Sequence, residues 1–357
     1  MSLSPSLNKP KLIENLEQSA HIVDASVVSS DTSRRRRDGL FAARPTIYIM
    51  ILLSAFVAPY LYKLRTGSIF SCQASGYTSD RYLSYCEATN YGDYEHGAFW
   101  FDLEPAAEMS AAAADVLFLG NSLTQFAFST AATARWFSSA SASYYLLGFI
   151  AFENSIFAQA LLHNLNPRAE VYIINIDDFF QPSETQVGKI VMRDEAAHSR
   201  YKVKGLLQFV HKAICMKLSA VCGHHLVIFR SRQNGTWYMP EISKFRGAER
   251  PVSDDRQINQ HEVDDAIGIG QIFLSKLHAK AECVILTAVP TVRTKTGVAN
   301  AIASGLGKTL IVPEHLDGLQ TFDGTHLDPA SAERWSEAFL KTAGPQIRKC
   351  LEVPASR

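Results

Sequence analysis

The stretch of sequence that decides the fold is Val116-Leu117-Phe118-Leu119-Gly120-Asn121-Ser122-Leu123-Thr124. Its apolar part, Val116–Leu119, is a short continuous run that ends at a glycine, and the predicted strand is Asp115–Leu119. This pattern is typical of a strand that is buried on both faces of a parallel sheet. The glycine and asparagine that follow predict a tight turn, and this turn presents Ser122 at the end of the strand.

A second motif, Phe322-Asp323-Gly324-Thr325-His326-Leu327-Asp328-Pro329, lies near the C-terminus. Asp328 and Pro329 suit the N-cap and the first position of a helix, so Asp323 and His326 fall on the loop before it. Alone, each motif has a simple structural explanation, because serine and aspartate often cap helices and turns. Together, in the order Ser…Asp…His, they provide the nucleophile, orienting carboxylate and base that acyl transfer through a serine ester requires.

Between the two motifs, short apolar runs alternate with helical segments. The predicted strands are Asp115–Leu119, Ser143–Leu147, Glu170–Ile176, Glu282–Val289 and Thr309–Val312, and the predicted helices include Asn154–Leu165, Lys204–Cys222 and Pro329–Lys341. This alternation favours an α/β fold with a parallel sheet flanked by helices. Ligands of such sheets bind outside the carboxyl ends of the strands, and both motifs are predicted to lie at strand ends or in loops.

The two motifs together resemble those of the SGNH (GDSL-like) hydrolase superfamily. Gly120-Asn121-Ser122-Leu123 is similar to its first block, with asparagine where aspartate is usual, and Asp323-Gly324-Thr325-His326-Leu327 is similar to its last block. The resemblance covers residues 113–343. It implies a three-layer, flavodoxin-like α/β fold in which Ser122 is the nucleophile, His326 the base and Asp323 the residue that orients the base.

The middle blocks of the family are matched less closely. The resemblance implies that Gly148, after the second strand, is an oxyanion donor. The family's Gly-x-Asn-Asp block corresponds here to Asn175-Ile176-Asp177-Asp178, so Asp177 replaces the asparagine. An ionised carboxylate cannot donate a hydrogen bond to an oxyanion, which leaves Asn175 or another group as the donor. The classical alpha/beta-hydrolase fold is a weaker match, because Thr124 stands where its Gly-x-Ser-x-Gly turn needs glycine.

The resemblance implies a serine ester hydrolase that acts on O-acyl groups, O-acetyl in the first instance, of a cell-surface polysaccharide or glycan. Two alternatives stay open. The same scaffold can serve a polysaccharide O-acyltransferase, with a sugar hydroxyl in place of water as the acceptor. It can also be a catalytically inert domain that binds glycan or acts as a scaffold. No cofactor and no metal are expected.

The N-terminus predicts a membrane segment. Residues 1–45 read as a disordered, basic cytoplasmic tail that contains Arg34-Arg35-Arg36-Arg37. Residues 46–62 carry no charge and are long enough for a short membrane-spanning helix. Basic residues are more frequent before this segment than after it, which places the tail inside and the body outside, in the periplasm. A cleaved signal peptide, a twin-arginine export signal and a buried helix are the alternatives.

Composition and length limit the remaining choices. The 357 residues are 47% hydrophobic and 20% charged, with 35 basic and 35 acidic residues. This balance does not favour a nucleic-acid partner. The expected organisation is a lead-in region over 63–110 and a catalytic domain over 111–345, with an insertion near 181–260.

The six cysteines give a further test of the predicted compartment. Cys72 and Cys86 follow the membrane segment, and a disulfide between them is expected if that region is outside the cytoplasm. Cys215 and Cys222 precede two histidines, but their spacing does not match that of common zinc sites. We interpret these two cysteines as buried thiols.

Overall fold

The computed structural model describes residues 45–88, 90–245, 249–313 and 316–352, apart from the side chains of Leu61, Leu64 and Ala220. The predicted basic tail, except for Pro45, lies outside these residues. The chain divides into two compact units, Met1–Phe56 and Val57–Arg357. All the elements that follow the first helix belong to the second unit.

The described residues form helices and strands with the following bounds. The helices are α1 Pro45–Gly67, α2 Glu95–Trp100, α3 Pro105–Ala113, α4 Ser122–Phe128, α5 Ala131–Ser139, α6 Ser155–Leu165, α7 Gln186–Arg193, α8 Ala197–Cys215, α9 Gln260–Leu274, α10 Thr296–Gly305 and α11 Pro329–Glu352. The strands are β1 Arg81–Cys86, β2 Gly92–Asp93, β3 Val116–Asn121, β4 Tyr144–Phe149, β5 Val171–Asn175, β6 Val227–Ser231, β7 Trp237–Tyr238, β8 Arg250–Pro251, β9 Val284–Thr287 and β10 Gln320–Thr321. Short 3-10 turns occur at Ile69–Ser71, Ser219–Val221, Ile242–Phe245 and Ala281–Cys283.

Within the described part of the chain, α1 is the one helix long and apolar enough to cross a membrane. It has 23 residues, and its mean hydropathy is 1.7 over the apolar window, none of which is buried. The predicted span of residues 46–62 is therefore helical. The helix begins one residue earlier and continues to Gly67, past the charged residues Lys63 and Arg65.

Four parallel strands in the order β4-β3-β5-β9 form the central sheet. This confirms the predicted parallel sheet flanked by helices. The predicted fifth strand, Thr309–Val312, is wrong. Leu310 makes only an isolated parallel bridge to Leu286, and the Ile311 N–H donates to the Leu286 carbonyl at 2.8 Å. The segment therefore runs beside β9 without forming a strand.

Alternate residues of the central strands belong to two separate hydrophobic cores. Leu117 and Leu119 of β3 lie in one core, which includes residues of α3, α6, α9 and α10. Val116 and Phe118 lie in the other, which includes residues of α4, α5 and α11. Since successive side chains of a strand point to opposite faces, both faces of the sheet are buried, and this explains why β3 is apolar at every position from 116 to 119.

A second, antiparallel sheet has the strand order β2-β1-β6-β7. We call it the accessory sheet. Its strands come from residues 81–93 and 227–238, so the predicted lead-in region and the predicted insertion meet in one structure. Sequence periodicity did not reveal this sheet, because two of its strands have only two residues each.

One buried ion pair joins the accessory sheet to the edge of the central sheet. Arg230 of β6 and Glu95 of α2 are both fully buried, with 3.1 Å between Nη1 and Oε2. The guanidinium group also donates to the Leu146 carbonyl and, at 3.1 Å, to the Gly148 carbonyl of β4. Because β4 is an edge strand, Arg230 supplies hydrogen bonds that a further strand would otherwise provide.

Two predicted helices have different bounds in the structure. The segment Lys204–Cys222 was predicted to be helical, but α8 covers Ala197–Cys215 and a 3-10 turn follows it. The C-terminal helix begins at Pro329 as predicted, and the Ser331 N–H donates to the Asp328 carboxylate at 2.7 Å. This helix does not end at Lys341; it continues through Pro345 to Glu352, because its later apolar residues remain buried in the core.

All six cysteines form disulfides. The predicted Cys72–Cys86 bond is confirmed. The interpretation of Cys215 and Cys222 as thiols is wrong, because they are bonded to each other across the turn that ends α8. Cys283 and Cys350 link the start of β9 to the end of α11, a pairing that spacing did not indicate. Three disulfides are typical of an oxidising compartment outside the cytoplasm.

We expect Arg230→Met to lower the free energy of unfolding by about 3–5 kcal/mol, because it leaves the Glu95 carboxylate buried without its partner. The matched control is Arg135→Met, since Arg135 forms an exposed ion pair with Glu333 and its loss is expected to cost less than about 1 kcal/mol. Denaturant unfolding of the full-length protein in detergent, followed by tryptophan fluorescence, measures both. Equal, small losses for the two variants would contradict a structural role for the buried pair.

Candidate active site

Ser122 lies where β3 passes directly into α4. The Asn121 side chain caps this helix, since its Oδ1 accepts from the Leu123 N–H at 2.9 Å. Gly120 is required for the close packing of the turn, because a Cβ at this position would lie 2.1 Å from Thr124 Oγ1. The strand, the glycine and the capping asparagine together fix the position of the Ser122 side chain, which is largely buried.

The loop before α11 holds His326 in place through Asp323. Asp323 Oδ1 accepts from the backbone N–H groups of Thr325 and His326, at 2.9 and 2.8 Å. Asp323 Oδ2 accepts from His326 Nδ1 at 2.7 Å. Burial alone would raise the pKa of Asp323, but the hydrogen bonds and charge of His326 outweigh it and leave this pKa below its usual value. The carboxylate is therefore ionised at neutral pH.

Ser122, His326 and Asp323 form one hydrogen-bonded chain. His326 Nε2 lies 2.8 Å from Ser122 Oγ, although the two residues are 204 positions apart. An ionised Asp323 can only accept, so Nδ1 of His326 carries a proton; when that is the only ring proton, Nε2 accepts from the serine hydroxyl. The three residues that the sequence singled out are thus together, in an arrangement suited to removal of the serine proton.

Aromatic rings enclose the imidazole of His326. The Phe322 ring is stacked on it with 5.7 Å between centroids, and the Phe126 ring packs at 4.7 Å. Trp237 of β7 packs edge-on against Phe126 at 5.4 Å, so the accessory sheet reaches the site. These contacts restrict the orientation of the imidazole. No motif in the sequence marks Phe126 or Trp237.

Asn175 lies at the end of β5, the strand next to β3. Its Oδ1 accepts from the Val289 N–H at 3.1 Å, and its Nδ2 is buried and has no partner. A Cβ on Gly120 would lie 3.3 Å from the Asn175 Cβ, so the residue is adjacent to the serine turn. A buried amide without a partner is costly, which makes Asn175 a candidate donor to a bound group.

Gly148 lies within β4, not after the strand as the sequence predicted. It is opposite Gly120 in the parallel register, and a Cβ on Gly148 would lie only 2.7 Å from the Asn121 carbonyl oxygen. Its own carbonyl accepts from Gln125 Nε2 at 2.8 Å and from Arg230. Gly148 is therefore held close to the serine turn, and its role as an amide donor stays a prediction.

Asp177 lines a cleft of about 230 Å³ together with Asp178, Glu262 and Lys295. Burial, and then the charge of Asp178, raise the pKa of Asp177 to about 7. Its backbone carbonyl lies 3.5 Å from Asn121 Nδ2. Ser122, Asp323 and His326 do not line this cleft. The structure therefore gives Asp177 a place beside the serine turn but no contact with the serine itself.

The loop after β4 contains two non-glycine residues with left-handed backbone, Ala151 and Phe152, at φ angles of 64° and 55°. Such conformations cost on the order of 1–3 kcal/mol each and often occur at functional sites. The Phe152 side chain is exposed, although it is a large aromatic group. No motif marks this loop, because backbone strain leaves no pattern in the sequence.

His96 fixes the end of the same loop. Its two ring nitrogens contact Asp93 Oδ1 and Glu153 Oε2, each at 2.9 Å, and Glu153 also accepts from Thr185 Oγ1 at 2.8 Å. Burial alone would lower the pKa of His96, but the two carboxylates outweigh it and raise the pKa to about 10. His96 is therefore a buried cation at neutral pH, and Phe152 lies next to a firmly held residue.

Two clusters of metal-ligand residue types occur in the described part of the chain. His211 lies near Cys215 and Cys222, but these cysteines are joined in a disulfide and offer no thiolate. Asp93, Glu95 and His96 form the second cluster. Their charges are already balanced by ion pairs with one another, with Arg230 and with Glu153. The residues of both clusters therefore have structural partners.

Comparison with models of protein families, with curated proteins and with solved structures finds no match to this chain. The resemblance to SGNH hydrolases therefore depends on the two motifs and stays a prediction.

We expect the stability that His96 contributes to depend on pH. Its pKa is raised from 6.5 to about 10 in the folded state, so its contribution is complete below pH 6.5 and is lost as the pH rises through about 10. The difference in unfolding free energy between the wild type and His96→Gln should therefore shrink between these two values. Denaturant unfolding at a series of pH values measures it, with His261→Gln as a matched surface substitution. A difference in unfolding free energy that grows as the pH rises would contradict the raised pKa of His96.

Proposed function

We propose that the chain is a serine ester hydrolase with a three-layer, SGNH-type catalytic domain. The observation that carries the proposal is the continuous hydrogen-bonded chain from Ser122 Oγ through His326 to Asp323, with contacts of 2.8 and 2.7 Å. A helix cap or a turn cap would explain each residue alone. Neither explains why a serine from the start of α4 meets a histidine that is already oriented by a carboxylate.

The chemistry follows from the protonation states. The Ser122 oxygen bonds to the carbonyl carbon of an ester while its proton moves to His326 Nε2. The electron pair of the C=O double bond moves to the carbonyl oxygen, which becomes an oxyanion. When the double bond forms again, the bond between the carbonyl carbon and the alcohol oxygen breaks, and the alcohol oxygen takes the proton from His326. The product is an acyl-serine. In the second half of the reaction, water bonds to the acyl carbon and gives a proton to His326. The bond to the Ser122 oxygen then breaks, this oxygen takes the proton from His326, and the acid is released.

The oxyanion needs donors that are already in place. Asn175 Nδ2 is the best-supported side-chain donor, because it is buried without a partner beside the serine turn. The Ser122 N–H and the Gly148 N–H are the proposed backbone donors. Asp177 is not assigned this role. The aromatic rings around His326 lower the local polarity, which strengthens these hydrogen bonds.

The proposed substrate is an O-acyl group, O-acetyl in the first instance, on a cell-surface polysaccharide or glycan. This choice combines the resemblance in the two motifs with the proposed location, in which α1 anchors the chain to the inner membrane and the body lies in the periplasm. The three disulfides support a compartment outside the cytoplasm. The acceptor, water or a sugar hydroxyl, decides between hydrolase and O-acyltransferase.

We expect Ser122→Ala and His326→Ala each to abolish labelling by a fluorophosphonate probe, and Asp323→Asn to lower kcat by about 10⁴-fold, because it favours the wrong tautomer of His326. Labelling and the release of acetate from p-nitrophenyl acetate and from an acetylated glycan measure these effects in the full-length protein. Ser139→Ala, at an exposed position, is the matched control.

Absence of labelling in the folded wild type would overturn the proposal in favour of an inert binding domain. Acylated sugar in place of acetate, when a sugar acceptor is added, would identify a transferase.

We expect Asn175→Asp to lower kcat by about 10²–10³-fold with little change in KM, because the loss of one oxyanion donor acts on the transition state. The substitution keeps an oxygen that can accept from the Val289 N–H, so it tests the NH₂ group of Asn175 rather than the turn. Asn90→Asp, which removes an amide donor to the Gly67 carbonyl, is the control. Unchanged kcat in a folded Asn175→Asp variant would remove Asn175 from the oxyanion site.

A further inference from the structure

The outer side of α8 is unusually apolar for a surface helix. Val203, Leu206, Leu207 and Val210 follow the i, i+3, i+4, i+7 spacing of one helical face, and all four are exposed. Phe209 is 74% exposed. The apolar surface continues past the helix into the turn closed by the Cys215–Cys222 disulfide, through Met216, Leu218 and Val221. We call these eight residues the α8 face.

The opposite side of α8 already packs on the body of the protein. Its buried residues are Tyr201, Gln208, His211 and Cys215. Gln208 donates to the Leu83 carbonyl at 2.9 Å, and His211 Nε2 contacts the Cys72 carbonyl at 3.0 Å. An apolar face of a helix is normally buried against another element. The α8 face is therefore an apolar surface without a partner in the described chain, of the kind that marks an interaction site.

The chain leaves α1 next to this face. A few residues after Gly67, the chain contacts α8 and the segment that follows its disulfide. The Gly223 N–H donates to the Phe70 carbonyl at 2.7 Å, the His225 N–H donates to the Ser71 carbonyl at 2.9 Å, and the His211 ring contacts the Cys72 carbonyl. Five residues span at most about 17 Å even when extended. A membrane that held α1 would thus be within short reach of the α8 face.

The charge of the segment suits a lipid surface. Residues 197–222 contain five lysines and arginines and no aspartate or glutamate. Among these basic residues, Lys202 and Lys217 are exposed on the outer side, next to the apolar residues. An apolar face bordered by lysines is typical of helices that lie in the headgroup region of a membrane with anionic lipids.

We propose that the α8 face lies in the headgroup region of an anionic lipid bilayer, beside the point where α1 leaves it. The body is then held at the membrane by two elements, one that spans it and one that lies on it. This inference depends on the proposed membrane insertion of α1, and it does not depend on the proposed hydrolase activity.

Site-directed spin labelling of the full-length protein in lipid nanodiscs tests the proposal. All six native cysteines are paired, so Leu206→Cys, Phe209→Cys or Leu218→Cys provides the one free thiol for the label. Glu337→Cys, at an exposed position of α11, is the matched aqueous control, and Phe56→Cys in α1 is the reference for the bilayer. The discs contain phosphatidylcholine and phosphatidylglycerol, and the measurement is the collision rate of each label with oxygen and with a water-soluble nickel chelate.

We expect the ratio of oxygen to nickel collisions to be severalfold higher for the three α8 labels than for the Glu337 label, since oxygen partitions into the bilayer and the chelate does not. Aqueous values at all three α8 positions, with a bilayer value at Phe56, would overturn the proposal and leave the α1 anchor intact. An aqueous value at Phe56 as well would show that α1 is not inserted in the bilayer, which overturns the premise of the proposal and the proposal with it. Aqueous values with dipolar broadening between α8 labels would assign the face to a second copy of the chain and also overturn the proposal.

Discussion

The pairing of β3 between β4 and β5 is the constraint on which the rest of the structure depends. Because β3 has a strand on each side and a core on each face, its backbone cannot shift along or across the sheet. Its carboxyl end therefore fixes the turn at Gly120. The position of this turn determines the position of Ser122. The carboxyl-terminal parts of β4 and β5 bring Gly148 and Asn175 to the same end of the sheet. The site is a consequence of strand register.

The sequence was informative where local chemistry and long-range packing agree. The apolar run before Gly120 predicted β3, and Asp328 with Pro329 predicted the start of α11, because burial and capping leave clear local patterns. The contact between Asp323 and His326 was expected from the family resemblance, and the structure shows it at 2.7 Å. The meeting of His326 with Ser122 was inferred only from the joint presence of the motifs, since 204 residues separate them.

Other features could not be predicted, because their partners are distant and carry no motif. A buried arginine such as Arg230 looks like any surface arginine in the sequence, and its partner Glu95 is 135 residues away. The strands β2 and β7 have two residues each, too few to show a period. Disulfide pairing among six cysteines has fifteen solutions by counting alone, and spacing favoured only one of the three bonds found.

The α11 helix follows all the strands of the central sheet along the chain, which has a consequence for the order of folding. Trp335 and Phe339 cover one face of the central sheet by packing on Phe128, and Cys350 joins the helix to Cys283. Until residues 329–352 have been synthesised, the helices that cover this face of the sheet are α4 and α5, and the apolar residues that pack on α11 stay exposed. The core on this face therefore cannot be completed before α11 is made, and the bond between Cys283 and Cys350 can form only after that point.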